Sequence, residues 1–270
     1  MKISIGTLSK AFDLSDEALR FYEKKGLLRP QREGEGGYRV FEKTDIQRVA
    51  NVKRLKNQGF TLDEIQTVYS CIGQDALEAL YAQKVAQARR EIACKERVLT
   101  HMEAAWQTLR EAPGGLLKPQ MLTLGTFYIL EYPSIEAMWE RLPCEPALKR
   151  LFRQLPLTAY TTLVKKEALL GEAYRLSKGV LLHESDARAL GVAPEGFRRV
   201  DANRAAGCLF CLENGQFDVC ALLDILAGYL RERGLRAADD LFTVQLLSFV
   251  NEHGDAIHYS RMIVPVAEKE

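Results

Sequence analysis

Between Asp75 and Glu111 the chain contains neither proline nor glycine, and apolar residues return at heptad spacing along this run. Val85, Ile92, Leu99 and Trp106 occupy one heptad position, while Tyr81, Ala88, Lys95, Met102 and Leu109 occupy its partner. A run with no helix breaker folds as one long helix, and a double apolar stripe is a seam for a second helix. The pattern predicts a dimerisation helix over 73–112, read as an antiparallel coiled coil with Tyr81, Val85, Ala88, Ile92, Leu99, Met102 and Trp106 at the contact. A helix lying on the C-terminal domain would account for the same stripe. Pro113, Gly114 and Gly115 close the run and open a linker over 113–120, so that a second, larger domain occupies 121–270.

Residues 1–72 read as a helix-turn-helix with a basic hairpin wing. Ile5, Leu8 and Ala11 place apolar groups on one side of a first helix, and Asp13 and Leu14 form the turn. Ser15 then caps a second helix with Asp16 and Glu17 in its first turn. Ala18, Leu19 and Tyr22 anchor this helix in part, with Arg20, Lys24 and Lys25 outside, until Gly26 and Pro30 stop it. The turn Gly34 to Gly37 leads into Tyr38-Arg39-Val40-Phe41, an alternating segment that suits the second strand of a hairpin. A third helix runs from Thr44 or Asp45 to Asn57 and carries Lys53, Arg54 and Lys56 near its end. Thr61 and Glu64 form a capping box for a fourth.

Charge supports a phosphate-facing surface in this half. Residues 20–56 hold 11 basic against 5 acidic groups, although the whole chain is only +1. Such a surface is attracted to nucleic acid, and an ordinary solvated charge run looks similar. A major groove accepts a helix of this kind, with arginine bridging base acceptors or gripping phosphate. The DNA-contact candidates are Arg20, Tyr22, Lys24, Tyr38, Arg39 and Lys56. Tyr38 either stacks on sugar and phosphate or closes the small core beside its glycine turn.

Composition narrows the remaining classes. Of the six cysteines, only Cys208 and Cys211 approach metal-ligand spacing, and alternation with Ala206, Leu209 and Phe210 makes them buried thiols of a strand. His101, His183, His253 and His258 are too scattered for a ligand set or a nucleophile relay. No phosphate-cradling glycine motif is present, so the expectation is no catalytic residue, no metal and no cofactor: not an enzyme. Neither an export segment nor a membrane-spanning apolar run is found, which reads as a cytoplasmic chain with no membrane partner.

Beyond Lys118 the pattern is mixed α and β. Strands are expected over 122–130, 158–164, 171–182, 206–212, 242–249 and 258–266. A broken helix over 134–153 and a second over 218–233 separate them. This order reads as two strand-helix-strand-strand units, a duplicated βαββ fold with a groove between its halves. Candidate effector contacts are Phe127, Tyr132, Met138, Trp139, Tyr160, Tyr174, Phe210 and Tyr259, with core packing the alternative for each. Glu131, Glu145 and Glu172 are candidate cation-attracting carboxylates.

Four motifs carry a family resemblance: Ile5-Gly6-Thr7-Leu8-Ser9, the run Ala18 to Leu28, Gly37-Tyr38-Arg39, and Gly59 to Ile65. In this order they closely resemble the MerR family of bacterial transcription regulators, over residues 1 to about 70 and on through the long helix to about 111. The C-terminal half resembles the gyrase-inhibitory-like effector domains of multidrug-sensing members. That resemblance rests on element order and on the closing strand to Ala267-Glu268. Aligned from this end, Arg261 stands where a multidrug regulator has a cation-attracting buried glutamate, and an unpaired arginine would repel such a ligand. The family's metal-sensing cysteines have no equivalents, because Cys71 and Cys94 come too early and Cys144 too late.

The resemblance implies a multidomain chain: an all-α winged helix-turn-helix with a small β wing, a dimerisation helix, and an α+β effector domain of duplicated βαββ units. It implies a homodimer on double-stranded promoter DNA that binds a small lipophilic or aromatic effector and kinks an over-long spacer for bacterial RNA polymerase. The alternatives are a ligand-independent repressor or architectural protein, and a hydrolase acting on small electrophilic compounds.

Overall fold

The computed structural model describes residues 2–34, 36–70, 73–193 and 195–269. Glu35 in the glycine turn, and Cys71 and Ile72 at the expected domain boundary, lie outside these described residues. The chain divides into two compact units, Met1–Glu91 and Ile92–Glu270.

In the first unit a two-residue strand β1 (Ile3–Ser4) leads into helices α1 (Ile5–Phe12) and α2 (Asp16–Lys24). Strands β2 (Gln31–Glu33) and β3 (Tyr38–Phe41) follow, then helices α3 (Lys43–Asn57) and α4 (Leu62–Tyr69) and the start of α5 (Gln74–Gly115). Ser15 caps α2 by accepting from the Ala18 N–H at 3.1 Å. The expected capping box of α4 is formed: Thr61 N–H donates to Glu64 Oε2 at 2.7 Å, and Glu64 N–H to Thr61 Oγ1 at 3.2 Å. α3 starts one residue before Thr44, because Glu42 and Asp45 make a second capping box. Leu8, Leu19, Leu27, Phe41, Val49, Val52, Phe60 and Ile65 build a single core from these short elements.

The second unit is a mixed α/β layer. Strands β4 (Gln120–Leu122) and β5 (Thr126–Tyr132) precede helices α6 (Ile135–Arg141) and α7 (Pro146–Phe152); then come β6 (Thr158–Val164), a short 3-10 helix (Lys166–Leu170) and β7 (Leu176–His183). Helix α8 (Glu184–Leu190), strands β8 (Arg198–Asp201) and β9 (Ala205–Glu213), and helix α9 (Val219–Glu232) follow, and β10 (Leu235–Ala237), β11 (Leu241–Val250) and β12 (Ala256–Glu268) complete the chain. The main sheet runs β4-β9-β12-β11-β6-β7-β5-β8, with β10 pairing on β12. Both β6 and β11 are antiparallel to their neighbours, and they pair with each other at the sheet centre. The chain therefore has an N-terminal helical region and a distinct C-terminal α+β sheet domain.

Local differences from the sequence expectation have physical causes. α5 continues through Pro113 to Gly115, so the first part of the expected 113–120 linker is helical. A proline there removes one hydrogen bond near a helix end, where few turns depend on it. The expected strand over 171–182 begins only at Leu176, since Gly171 sits at φ 84° and closes the 3-10 helix. Helix α8 and strand β8 were not expected.

Candidate DNA interface and effector groove

The exposed face of α2 carries Arg20, Phe21 and Lys24. Tyr22, expected on DNA, points the other way into the core beside Leu19 and Leu27 and is only 6% exposed. Successive helix positions differ by about 100°, so of two adjacent aromatics one must leave the face its neighbour occupies. Phe21 is the outward one; sequence reasoning missed it. Lys25 is turned toward α4, where its Nζ lies 2.7 Å from Asp63 and 5.9 Å from the Phe21 ring centre.

The β2–β3 hairpin pairs Gln31 with Val40 and Glu33 with Tyr38. Gly36 admits the Tyr38 ring, because a Cβ there would stand 2.7 Å from its Cε2. Tyr38 is 76% exposed and so does not close the core. Arg39 Nε donates to Glu23 Oε2 at 2.6 Å, tying the hairpin to α2. Lys56 is exposed at the end of α3. On α5, Lys84 is buried: its Nζ donates to the Gly59 carbonyl at 3.0 Å and meets Glu64 at 2.8 Å, above the Phe60 ring. No sequence signal distinguishes this lysine from its solvated neighbours.

Along α5 the expected dimer stripe is unpartnered in the single chain. Val85, Ala88, Ile92, Leu99, Met102 and Trp106 are exposed, and Tyr81 is exposed while its ring lies 5.1 Å from that of Phe60.

A cavity of about 510 Å³ opens on the sheet face between α6 and α9. Strict alternation assigns its floor. On β6, Tyr160, Thr162 and Val164 face it, opposite Val180, Lys178 and Leu176 of β7. On β12, His258, Ser260 and Met262 face it, opposite Leu212, Phe210 and Cys208 of β9. Of the expected effector residues, Met138, Trp139, Tyr160 and Phe210 line this groove. Tyr132 packs in the core under α6 and α7. Tyr174 packs against the α9 core, its hydroxyl 3.5 Å from Cys220 Sγ.

Tyr259 and Arg261 alternate with the groove-facing residues of β12 and so point to the opposite face, as does Phe127 of β5. Phe127 lines a second cavity of about 450 Å³ there, with His101, Leu181 and Val244. Arg261 does not line the groove. Its Nε is buried without a hydrogen-bond partner among the described residues, and burial lowers its pKa against the opposing pull of Glu111. Cys208 is buried, its thiol pushed up to about 11 by burial, and Cys211 is half-buried. Of the candidate carboxylates, Glu131 is engaged by Ser177 and Arg198, and neither it, Glu145 nor Glu172 lines the groove.

Among the described residues no group of three or more His, Cys, Asp or Glu side chains is placed to hold a metal ion, and no helix is long and apolar enough to cross a membrane.

The family model for MerR HTH family regulatory proteins matches residues 3–70. An uncharacterized HTH-type transcriptional regulator of Pseudomonas aeruginosa is 32% identical over 96 residues, which cover 33% of this chain and 72% of that protein. The chain belongs to the MerR family. A second MerR-type relative, the mercuric resistance operon regulatory protein of Shigella flexneri, is 31% identical over 109 residues, 38% of this chain and 76% of that one. Its Bacillus cereus counterpart is 33% identical over 75 residues, and there the matched region spans 28% of this chain and 57% of the relative. As a MerR-family HTH protein, the chain is a DNA-binding transcriptional regulator.

Proposed function

We propose that this MerR-family chain is a ligand-responsive regulator that binds promoter DNA as a homodimer and senses a small effector in the groove between α6 and α9. The observation that carries the reading is the exposed α2 face, where Arg20, Phe21 and Lys24 stand clear of the core that family membership assigns to a DNA-binding module. In this reading α2 enters the major groove: Arg20 reaches a base edge or phosphate, Phe21 makes apolar contact, and Lys24 supplies charge. The hairpin acts as the wing, with exposed Tyr38 and half-buried Arg39 on the flanking phosphates and Lys56 as an outer contact.

The exposed stripe from Tyr81 to Trp106 supports dimerisation through an antiparallel pair of α5 helices, because seven apolar residues along one helix face are costly to leave in water. The domain division assigned to it is 1–72, 73–112, 113–120 and 121–270. The duplicated βαββ reading, and with it the gyrase-inhibitory-like character of the effector domain, is supported by strand order. β5-α6-α7-β6-β7 and β9-α9-β11-β12 each lay their strands in the same relative order about the central β6–β11 pair. Effector binding shifts the dimer between two DNA-bound conformations, and spacer distortion presents the promoter to RNA polymerase.

The test is transcription by bacterial RNA polymerase from the promoter beside the chain's own gene, measured together with DNA binding. Activation by a groove ligand with little change in DNA affinity is the expected result. Specific binding with no response to any groove ligand would point instead to the ligand-independent repressor.

A further inference from the structure

The inference rests on the reading of the α6–α9 groove as the effector site and narrows what it takes. We infer that the groove selects a flat aromatic monoanion, whose carboxylate is held by Lys178 and whose rings lie between the aromatic walls.

Lys178 is the group that decides. It stands in the middle of β7, where its strand neighbour across the sheet is Thr162, and both side chains face the cavity. Nζ donates to Thr162 Oγ1 at 2.9 Å. Among the described residues it makes no ion pair. Glu136, exposed in the first turn of α6, is the carboxylate that acts on it through space without touching it. Burial lowers the pKa of Lys178, which marks an ammonium short of solvation. An incoming carboxylate would supply what water and protein do not. Thr162 accepts from Lys178, so its own hydroxyl proton remains to donate to the second carboxylate oxygen.

The rest of the lining excludes the opposite charge. No Asp or Glu lies among the lining residues, and the polar groups beside Lys178 are Thr161, Thr162, Thr243, Gln245, Ser260 and His258. A cation would meet the Lys178 ammonium at close range with no carboxylate in the lining to hold it, since Glu136 stands outside the lining, and this is repulsion built into the site. The two apolar walls fix shape: Trp139 lies 6.2 Å from Tyr160, with Phe152 behind both, and Phe210 and Phe217 lie 4.7 Å apart on the other side. Such walls accept a planar ring system by stacking.

Isothermal titration of the full chain with naphthalene-2-carboxylate, naphthalene-2-carboxamide and (naphthalen-2-yl)methylammonium, at one salt concentration, tests this. The carboxylate is expected to bind at least about ten-fold tighter than the amide, and the ammonium weaker than either. Lys178→Met should erase the carboxylate's advantage while leaving amide binding in place, and Trp139→Ala should weaken all three. Equal or tighter binding of the amide or the ammonium would overturn the charge assignment and leave the groove as an effector site. If none of the three binds, or if Trp139→Ala changes nothing, the groove reading itself fails.

Discussion

Asp186 accepts from Arg97 Nε at 2.7 Å and faces His101 Nε2 at 3.2 Å, so a carboxylate buried in the first turn of α8 is joined to the second half of α5. Desolvation of Asp186 pushes its pKa up, but hydrogen bonds from His101 and Arg97 outweigh it, and the net shift is downward. A carboxylate with a depressed folded pKa contributes stability that is full above its unfolded value near ~4 and is lost as pH falls through the lower folded value. Thermal unfolding should therefore weaken below about pH 4 in the native chain and show a smaller acid dependence in Asp186→Asn. Asp186→Ala should cost about 2 kcal/mol at neutral pH, less than a fully buried pair costs to break, because Arg97 and His101 reach solvent. An unchanged melting temperature in the Ala variant would remove this pair from the support of α5.

Arg20→Ala and Phe21→Ala are each expected to weaken operator binding by roughly ten-fold or more, while thermal stability stays within about 0.5 kcal/mol. Tyr22→Ala should do the reverse. Emptying a core position in this small unit costs about 3 kcal/mol, and any loss of DNA binding should follow the loss of fold. Band-shift titrations at fixed salt, run beside denaturant melts, separate the two. If Tyr22→Phe alone abolished DNA binding in a fully folded protein, the hydroxyl would be at the DNA after all.

Arg39 Nε is engaged by Glu23, so its proposed phosphate contact competes with that ion pair. Arg39→Ala should lower the slope of log affinity against log salt by about one, the signature of one lost phosphate contact. Glu23→Gln should leave that slope unchanged and tighten binding, since it removes the charge that competes with phosphate for the guanidinium while an amide oxygen can still accept from Arg39. An identical salt slope in Arg39→Ala would place this arginine in the hairpin's architecture alone.

Arg261→Glu tests the parity of β12. Because Arg261 faces away from the groove and toward Glu111, a glutamate there sets two carboxylates together and should destabilise the chain by about 1–3 kcal/mol. Binding of the three naphthalene probes should be unaltered. A switch toward the ammonium probe would mean that Arg261 communicates with the groove.

Much of the architecture was legible because helix caps and apolar periodicity are local. Ser15, Thr61 and Glu64, the run from Asp75 to Glu111, and the strands around Thr158, Ala206 and His258 all follow from nearest neighbours in the chain. The site was less legible, because which way a side chain points depends on parity, and parity is set by distant partners. Tyr259, Ser260, Arg261 and Met262 mix apolar and polar residues on both faces, so nothing within β12 says that Ser260 and Met262 face the cavity. Only pairing with Phe210 and Cys208 on β9 decides it. Lys178 was invisible for the same reason: a lysine in a strand ordinarily marks the solvent face, and here Trp139 and Tyr160 cover that face. From sequence Tyr22 reads both as an anchor of α2 and as a DNA contact; it keeps only the first place, with Phe21 outward, because the core-facing arc of α2 is fixed by Leu27 and Phe41, which lie outside that helix.

The α5 stripe offers the last test. Ile92 is 59% and Trp106 61% exposed in the single chain, and residues of this size on a regular helical face lose about 1.5–3 kcal/mol each in water relative to full burial. A second α5 removes that cost for several residues at once, whereas one helix-turn-helix module makes too few contacts to hold a promoter alone. Replacing Ile92 and Leu99 together by glutamate puts two charges into the proposed seam and should convert the dimer to monomer in sedimentation equilibrium. Operator affinity should fall by more than about ten-fold, because each half-site then binds alone. The melt of the C-terminal unit should be little changed, since both positions are solvent-exposed in the single chain. A variant that still sediments as a dimer would assign the seam to another surface and leave the stripe without its partner helix.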